Sequence, residues 1–495
     1  MTGSARRRII VGVVGAGAGL LAWVVPGVAF AVDVPTVYDN MHMFPVGSRA
    51  AGMGGAYTAL ACDEAALHYN PAALGCAGAS RLELSASAYV LQHFSVPNAF
   101  GEDQDINALT YSAVPTIVGG VRILRDPDDE LGSGRVVFGF NISLPQSLVL
   151  NVEPAQQDEP NYIAATVRDQ ITAADAGVGW QINRYVAIGA SVGGVLRTFA
   201  GRFESMLSDP FTIPCVVGDC RSFLLASTTE ESFAIGLRGK LGVRVTPTPE
   251  LSLGLAVTSP SIDVWGTADI VDSAGFAIGD PATGEVAYAP FPARLEGKSD
   301  ASMPLRIALG FAYRWPRVTL SLDGSVNFPH RARSAYDLEQ IEFNGILPLD
   351  DDAVEDSEVF SVHTWQPNAN LGAEFVVVED VVIDVGAFTD LSSVSDQDIE
   401  ERDADRVHMF GGTAALGLLG KQTRGWFGLS FEFGRAGTNV AEGELNLDNV
   451  LVNGIELGER STVTRWTLAG FIGSNYSFMD EDDEAEEEPP TPQER

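Results

Sequence analysis

Residue types able to perform covalent or metal chemistry are few in this chain and poorly spaced for it. The six histidines, His42, His68, His93, His330, His363 and His408, are scattered, without the spacing of a metal site. No serine or cysteine lies in a nucleophile motif. Asp350-Asp351-Asp352 and Asp396-Gln397-Asp398 carry enough oxygen to hold a divalent cation, but neither matches an EF-hand loop, and both read as solvated acidic loops. Cys62, Cys76, Cys215 and Cys220 pair most simply in sequence order, Cys62 with Cys76 and Cys215 with Cys220, with a metal site as the alternative. The expectation is therefore no enzyme, no cofactor and no metal. One pattern does suggest binding. Arg238, Lys240 and Arg244 share one face of an alternating stretch, and Arg306 and Arg314 share one face of another. Such a column attracts a carboxylate, or else it pairs with Asp175, Asp323, Asp384 and Glu432 to hold a wall together.

The elements that position these residues are β-strands. Leu305, Ile307, Leu309, Phe311 and Tyr313 alternate with Arg306, Ala308, Gly310, Ala312 and Arg314, and the same period of two recurs along the chain. About fourteen strands are expected, near 81–93, 106–123, 134–148, 170–182, 185–200, 231–246, 251–266, 302–314, 318–329, 360–377, 381–392, 406–419, 425–436 and 462–478. Long and short links alternate between them. A soluble sandwich also alternates apolar and polar residues, but it has no reason to keep every long loop at one end. An even strand number with long loops on one rim predicts an all-β, membrane-spanning antiparallel barrel, residues 81–479.

Composition agrees. The 495 residues carry 31 Lys+Arg against 66 Asp+Glu, a net charge of −35, yet mean hydropathy is +0.09. A polyanion of this size is a poor partner for nucleic acid. The seven long links hold −28 of the −30 on residues 32–479, which places the acidity on one rim, expected to face outward. The chain begins with Arg6-Arg7-Arg8, an uncharged run to Val25, Pro26 and then Ala29-Phe30-Ala31, the parts of a signal peptide cleaved after residue 31. It ends in an acidic stretch, 480–495, with nine acids, one Arg and three prolines; this reads as a disordered periplasmic appendage.

Residues 32–80 break the strand pattern. A cluster containing Gly52, Gly54 and Gly55 permits close backbone approaches but lacks dinucleotide-binding spacing. Asp63 is placed to cap a short helix over 64–69 that Asn70-Pro71 ends. A compact N-terminal plug inside the barrel lumen is the physical expectation.

The stretch RAAGMGGAYTALACDEAALHYNPAAL resembles the N-terminal signature of the FadL/TodX family of outer-membrane transporters, and more loosely that of PorV-like outer-membrane proteins. AADAGVGWQINRYVAIGASVGG and LGVRVTPTPELSLGLAVTSPSIDVWG are similar to the family as well. The resemblance implies a fourteen-stranded barrel with an N-terminal hatch, in which Asn70, Pro71 and Ala72 form the hatch's Asn-Pro-Ala turn. It implies passive uptake of long-chain fatty acids or other hydrophobic molecules at the bacterial outer membrane. The alternative it implies is a PorV-like scaffold or shuttle for exported proteins. Expected partners are outer-membrane lipids, lipopolysaccharide, hydrophobic cargo and barrel-insertion machinery. Family members release cargo sideways at a kinked third strand, and Gly139, Asn141 and Pro145 mark that position here. The Cys62/Cys76 pair departs from the family, and a disulfide there would restrict movement of the hatch.

Overall fold

The computed structural model describes residues 40, 45–98, 105–126, 134–152, 162–208, 213–214, 219–279, 286–343, 359–402, 405–441 and 457–478. The expected signal peptide, the acidic tail, His42, Cys215 and Asp350–Asp352 lie outside the described residues.

Fourteen antiparallel strands form a closed barrel. The first six are Arg81–Val96, Ile106–Arg125, Val136–Val152, Tyr162–Asn183, Val186–Ser208 and Asp219–Val245. The next four are each interrupted once, as Leu251–Thr258 with Ile262–Gly279, Val286–Lys298 with Arg306–Arg314, Val318–Asn327 with His330–Phe343, and Val359–His363 with Gln366–Val378. Val381–Asp390, Met409–Leu419, Thr423–Ala441 and Leu457–Ser477 complete the ring. The last strand pairs with the first from Arg81↔Ser477 to Ser95↔Thr464, so the sheet has no free edge there.

The barrel is inside-out relative to a water-soluble protein. Leu84, Tyr89, Leu109, Leu241, Leu309, Leu371, Phe427 and Leu429 point outward and are exposed. Their neighbours on the other face, among them Glu83, Asn141, Asp175, Lys240, Asp323, Asp384 and Glu432, are buried. An apolar belt around a polar interior suits hydrocarbon outside and polar contacts within.

The fourth to ninth strands run well past their expected outer ends, for instance to Ser208 in the fifth and back to Asp219 in the sixth. Much of what read as long loop is paired strand. Beyond the membrane both faces of a strand are wetted, so the apolar alternation that marks a strand fades there. The opposite rim has tight turns at 183–186, 245–251, 314–318, 378–381 and 419–423, as expected.

Wall glycines let the N-terminal segment lie against the strands. A Cβ on Gly189 would come within 2.4 Å of the Pro71–Ala72 peptide, one on Gly386 within 2.3 Å of Gly54 N, and one on Gly242 within 2.0 Å of Asn70 Oδ1. Gly194, on the same strand as Gly189, has nothing within 4 Å. Gly189→Val should therefore lower the unfolding midpoint, costing about 1–3 kcal/mol by overpacking, whereas Gly194→Val should not. Heat-modifiability on gels reads both, and equal losses would refute the fit.

Candidate functional site

Residues 45–80 form a compact irregular body in contact with strands all around the ring. Its regular pieces are Ser48–Gly52, Ala66–Tyr69 and the tight helix Pro71–Cys76. Gly54 and Gly55 have φ of 61° and 76°, the left-handed region where a side chain is strained, which accounts for that part of the glycine cluster. Met53, Tyr57, Leu60, Leu67 and Leu74 are fully buried in one core with Ile117 and Val137 of the wall. Cys62 and Cys76 are disulfide-bonded, closing a loop around the Asn70-Pro71-Ala72 turn. In that turn Asn70 Oδ1 accepts from Ala72 N (3.1 Å), and Pro71 opens the tight helix, where its missing N–H costs nothing. Asp63 does not cap the following helix. The helix begins at Ala66, and Asp63 Oδ2 instead accepts from Tyr57 Oη at 2.5 Å. A buried phenol outcompetes a partly satisfied helix end for that carboxylate.

Wall side chains bond the backbone of this segment. Asp323 Oδ2 accepts from Tyr57 N (2.8 Å) and Thr58 N (2.7 Å). Arg49 makes a bidentate pair with Glu374 at 2.8 and 2.9 Å. Glu83 Oε1 accepts from Ser48 N and Oγ. Asn370 donates to Gly54 O, Thr413 to Gly52 O, and Asn70 donates to Val243 O.

The five expected cations divide. Lys240 Nζ donates to Leu67 O and His68 O, and Arg244 Nε donates to Ala59 O (3.1 Å). Arg238 approaches Asp175 at 3.5 Å, and Arg306 reaches Ser325 Oγ at 3.4 Å. Arg314 is half-buried near Glu374. Lys240 and Arg244 thus hold the N-terminal segment, and Arg238 holds the wall. The 396–398 run is the first turn of the helix Asp396–Arg402, capped by Ser395 Oγ; Asp396 is exposed and pairs with Arg406, whereas Asp398 is buried and accepts from Val362 N, so only that residue departs from the solvated loop expected.

At the third strand the wall changes. Gly139 faces Leu74, and Asn141 Nδ2 donates to Glu64 O (2.9 Å). The ladder to the second strand runs from Arg125↔Val136 to Ile117↔Ser143 and then ends. On the other side the register to the fourth strand jumps from Ser143↔Ala173 to Gln146↔Ile171, a bulge at Leu144-Pro145. Beyond it the third strand is held by side chains instead, Val149 N reaching Gln92 Oε1 of the first strand (3.4 Å) and Asn151 N reaching Thr110 Oγ1 of the second (3.0 Å). Leu148, Leu150 and Val152 turn inward onto Ala108, Val167 and Phe199, with Phe94 and Phe203 alongside, forming an apolar lining.

Sequence reasoning did not find Arg49–Glu374, Arg197–Asp169 (2.9 Å) or the stacked rings of His330 and His363 (centroids 4.2 Å apart). Asp169 fell outside the expected fourth strand, 170–182, and joins it only because that strand starts at Tyr162, which sets Asp169 opposite the fifth strand.

The barrel with its irregular N-terminal body invites comparison. No protein-family model matches the sequence, and no curated protein matches it closely. Solved structures do. The Pseudomonas putida toluene transporter TodX superposes with a TM-score of 0.55 at 16% identity over 90% of this chain and 100% of TodX. A Pseudomonas aeruginosa FadL homologue gives 0.56 at 11% identity over 89% and 100%. The Ralstonia pickettii toluene transporter TbuX gives 0.50 at 14% identity over 90% and 100%. The fold is that of the FadL/TodX-type barrels. The resemblance carried by the glycine and Asn-Pro-Ala motifs and the structural likeness point the same way.

Glu64 is buried with both carboxyl oxygens lacking a hydrogen-bond donor, and burial, then Glu83, raise its pKa well above the ordinary 4.5. A carboxyl raised in the folded state is best tolerated while protonated, so its cost to stability appears as pH rises past 4.5. The wild-type unfolding midpoint should fall from pH 4.5 towards neutrality more steeply than that of Glu64→Gln. Parallel profiles would show that Glu64 carries no such cost.

Proposed function

We propose that this chain is an outer-membrane channel for passive uptake of hydrophobic small molecules. One observation carries the reading. The backbone ladder between the second and third strands stops beyond Ser143, at a bulge containing Pro145, leaving Asn151 N to Thr110 Oγ1 as a side-chain bridge, and an apolar lining leads inward from there. Proline offers no N–H to a ladder, so Pro145 keeps this seam from closing at that point. Cargo taken up outside would pass along Leu148, Leu150 and Phe199 and leave sideways into the membrane, above an N-terminal hatch that stays in place. The likeness to TodX, TbuX and the FadL homologue supports this use of the barrel.

The cargo class follows from the cations. Three of the five expected cations, Lys240, Arg244 and Arg238, are already engaged by the hatch and by Asp175. That arrangement favours a neutral hydrophobic molecule over a fatty-acid carboxylate. A PorV-like scaffold would be served by a partner-binding rim, whereas an opening in the wall serves passage of cargo.

Uptake into cells or liposomes tests the reading with two probes, a labelled neutral aromatic hydrocarbon and a labelled long-chain fatty acid. The hydrocarbon should enter faster with the protein than without it, and the fatty acid should gain less. Deleting Pro145 restores the register to the fourth strand and should slow hydrocarbon entry several-fold while the barrel still folds. A barrel that speeds neither probe, and instead purifies with stoichiometric protein partners, would favour the scaffold.

A further inference from the structure

Three of the chain's six histidines, His330, His363 and His408, gather around one short segment at the end of the barrel away from the tight turns. After Asp390 closes the eleventh strand, the chain folds back against the tenth. Ser392, Ser393, Val394 and Ser395 are buried there, and the helix Asp396–Arg402 follows. The segment lies on the inner side of the wall, because Ser361, His363 and Gln366 of the tenth strand are buried whereas Trp365 is exposed. Thr364 N donates to Ser393 O (2.7 Å), Gln366 Nε2 donates to Leu391 O, and Asp398 Oδ2 accepts from Val362 N (2.8 Å). Val394 forms an isolated bridge with His363, and Arg406 Nη2 donates to Val394 O (2.7 Å).

Two histidines complete this hold. Ser392 N donates to His408 Nδ1 at 3.1 Å. A backbone amide is a donor only, so Nδ1 must be the acceptor, and an imidazolium there would set N–H against N–H. His363 Nδ1 lies 2.8 Å from Ser393 Oγ, and its Nε2 lies 2.9 Å from Ser361 Oγ. The face of His363 is stacked on His330, with centroids 4.2 Å apart and ring planes 12° from parallel. Neutral rings stack in this way, whereas two imidazolium rings at that distance repel. The cation facing both rings is Arg197 of the fifth strand, and the one facing His408 is Arg406. The carboxylates around them have other partners. Asp169 pairs with Arg197, Asp300 with Arg333 and Asp396 with Arg406, while Asp398 takes the Val362 amide. Glu230 bears on Arg197 from the sixth strand, and Asp390 bears on Arg306.

We infer that Leu391–Arg402 is an acid-released lid, folded onto the inner wall while His363 and His408 are neutral and freed from it when they gain protons. The sign follows from linkage. A ring that is neutral when latched and titrates near ~6.5 when released stabilises the latch above that pH, and favours release by up to about thirtyfold between pH ~7.5 and ~5. The lid also borders the apolar lining, because Phe94 and Ile106 pack against both Val407–Met409 and the cluster of Leu148 and Leu150. Wider access to that lining is a consequence that rests on the uptake proposed above, whereas release itself does not.

Amide hydrogen exchange of the full-length protein in detergent tests this, read by mass spectrometry on the peptide covering 391–402 and divided by the intrinsic rate at each pH. Between pH ~7.5 and ~5 the wild-type protection should fall about tenfold or more, while that of the first strand holds. His408→Asn supplies an Oδ1 acceptor that does not titrate, so it should lessen the fall by itself. Joined to His363→Gln, it should leave protection level across the range. Asp398→Asn keeps an oxygen for the Val362 amide and should fall as the wild type does. Wild-type protection that stays constant would overturn the proposal whatever the variants do. So would a full fall in both histidine variants, or a fall that Asp398→Asn abolishes.

Discussion

Buried backbone sets the terms for the interior of this barrel. A strand wall satisfies its own N–H and C=O groups, but an irregular segment lying inside it cannot. Residues 45–80 have only short helices, so many of their peptide groups need partners, and the wall supplies them. Asp323 takes two amides, Lys240 two carbonyls, and Arg244, Asn370, Thr413 and Asn141 one carbonyl each. Two of the five cations that look like a cargo site from sequence, Lys240 and Arg244, are committed to this task. Glycines solve the other half of the problem, because at Gly189 and Gly386 the two backbones touch where any side chain would intrude.

Strand number, the ring order and the two rims were legible because a membrane writes a strong alternation onto each strand. The Asn70-Pro71-Ala72 turn and the left-handed glycines were legible because their geometry allows few other residues. Other features were not. The outer reaches of the fourth to ninth strands are wetted on both faces and lose the apolar signal. Asp63 has the position of a helix cap, yet Tyr57 Oη claims it, a contact six residues back that no spacing rule singles out. For Lys240, alternation gives a direction and not a partner. Its carbonyl partners lie 172 and 173 residues away.

The third strand shows local chemistry competing with the ladder. Gly139 and Asn141 face Leu74 and Glu64 within a fully paired stretch, so they do not weaken the wall there. The parting comes later, at Leu144-Pro145. Pairing to the fourth strand resumes after the bulge, from Gln146 to Val152, so the strand stays anchored on one side while it leaves the other. One anchored edge is what lets a wall part without unravelling.

Residues 45–80 and the end of the ladder at Ser143 then bear on each other. Displacing residues 45–80 as a body would leave the wall's carboxylates, ammonium and guanidinium groups facing unpaired peptides; at about 1–3 kcal/mol for each stranded group, eight such bonds amount to on the order of 10 kcal/mol. The Cys62–Cys76 bond further keeps the centre of the segment from unfolding piecemeal. The ladder between the second and third strands already ends at Ser143, and beyond it the seam is bridged by a side-chain bond, Asn151 N to Thr110 Oγ1 (3.0 Å). For the uptake proposed above, a route at this seam therefore breaks fewer bonds than displacing residues 45–80 would.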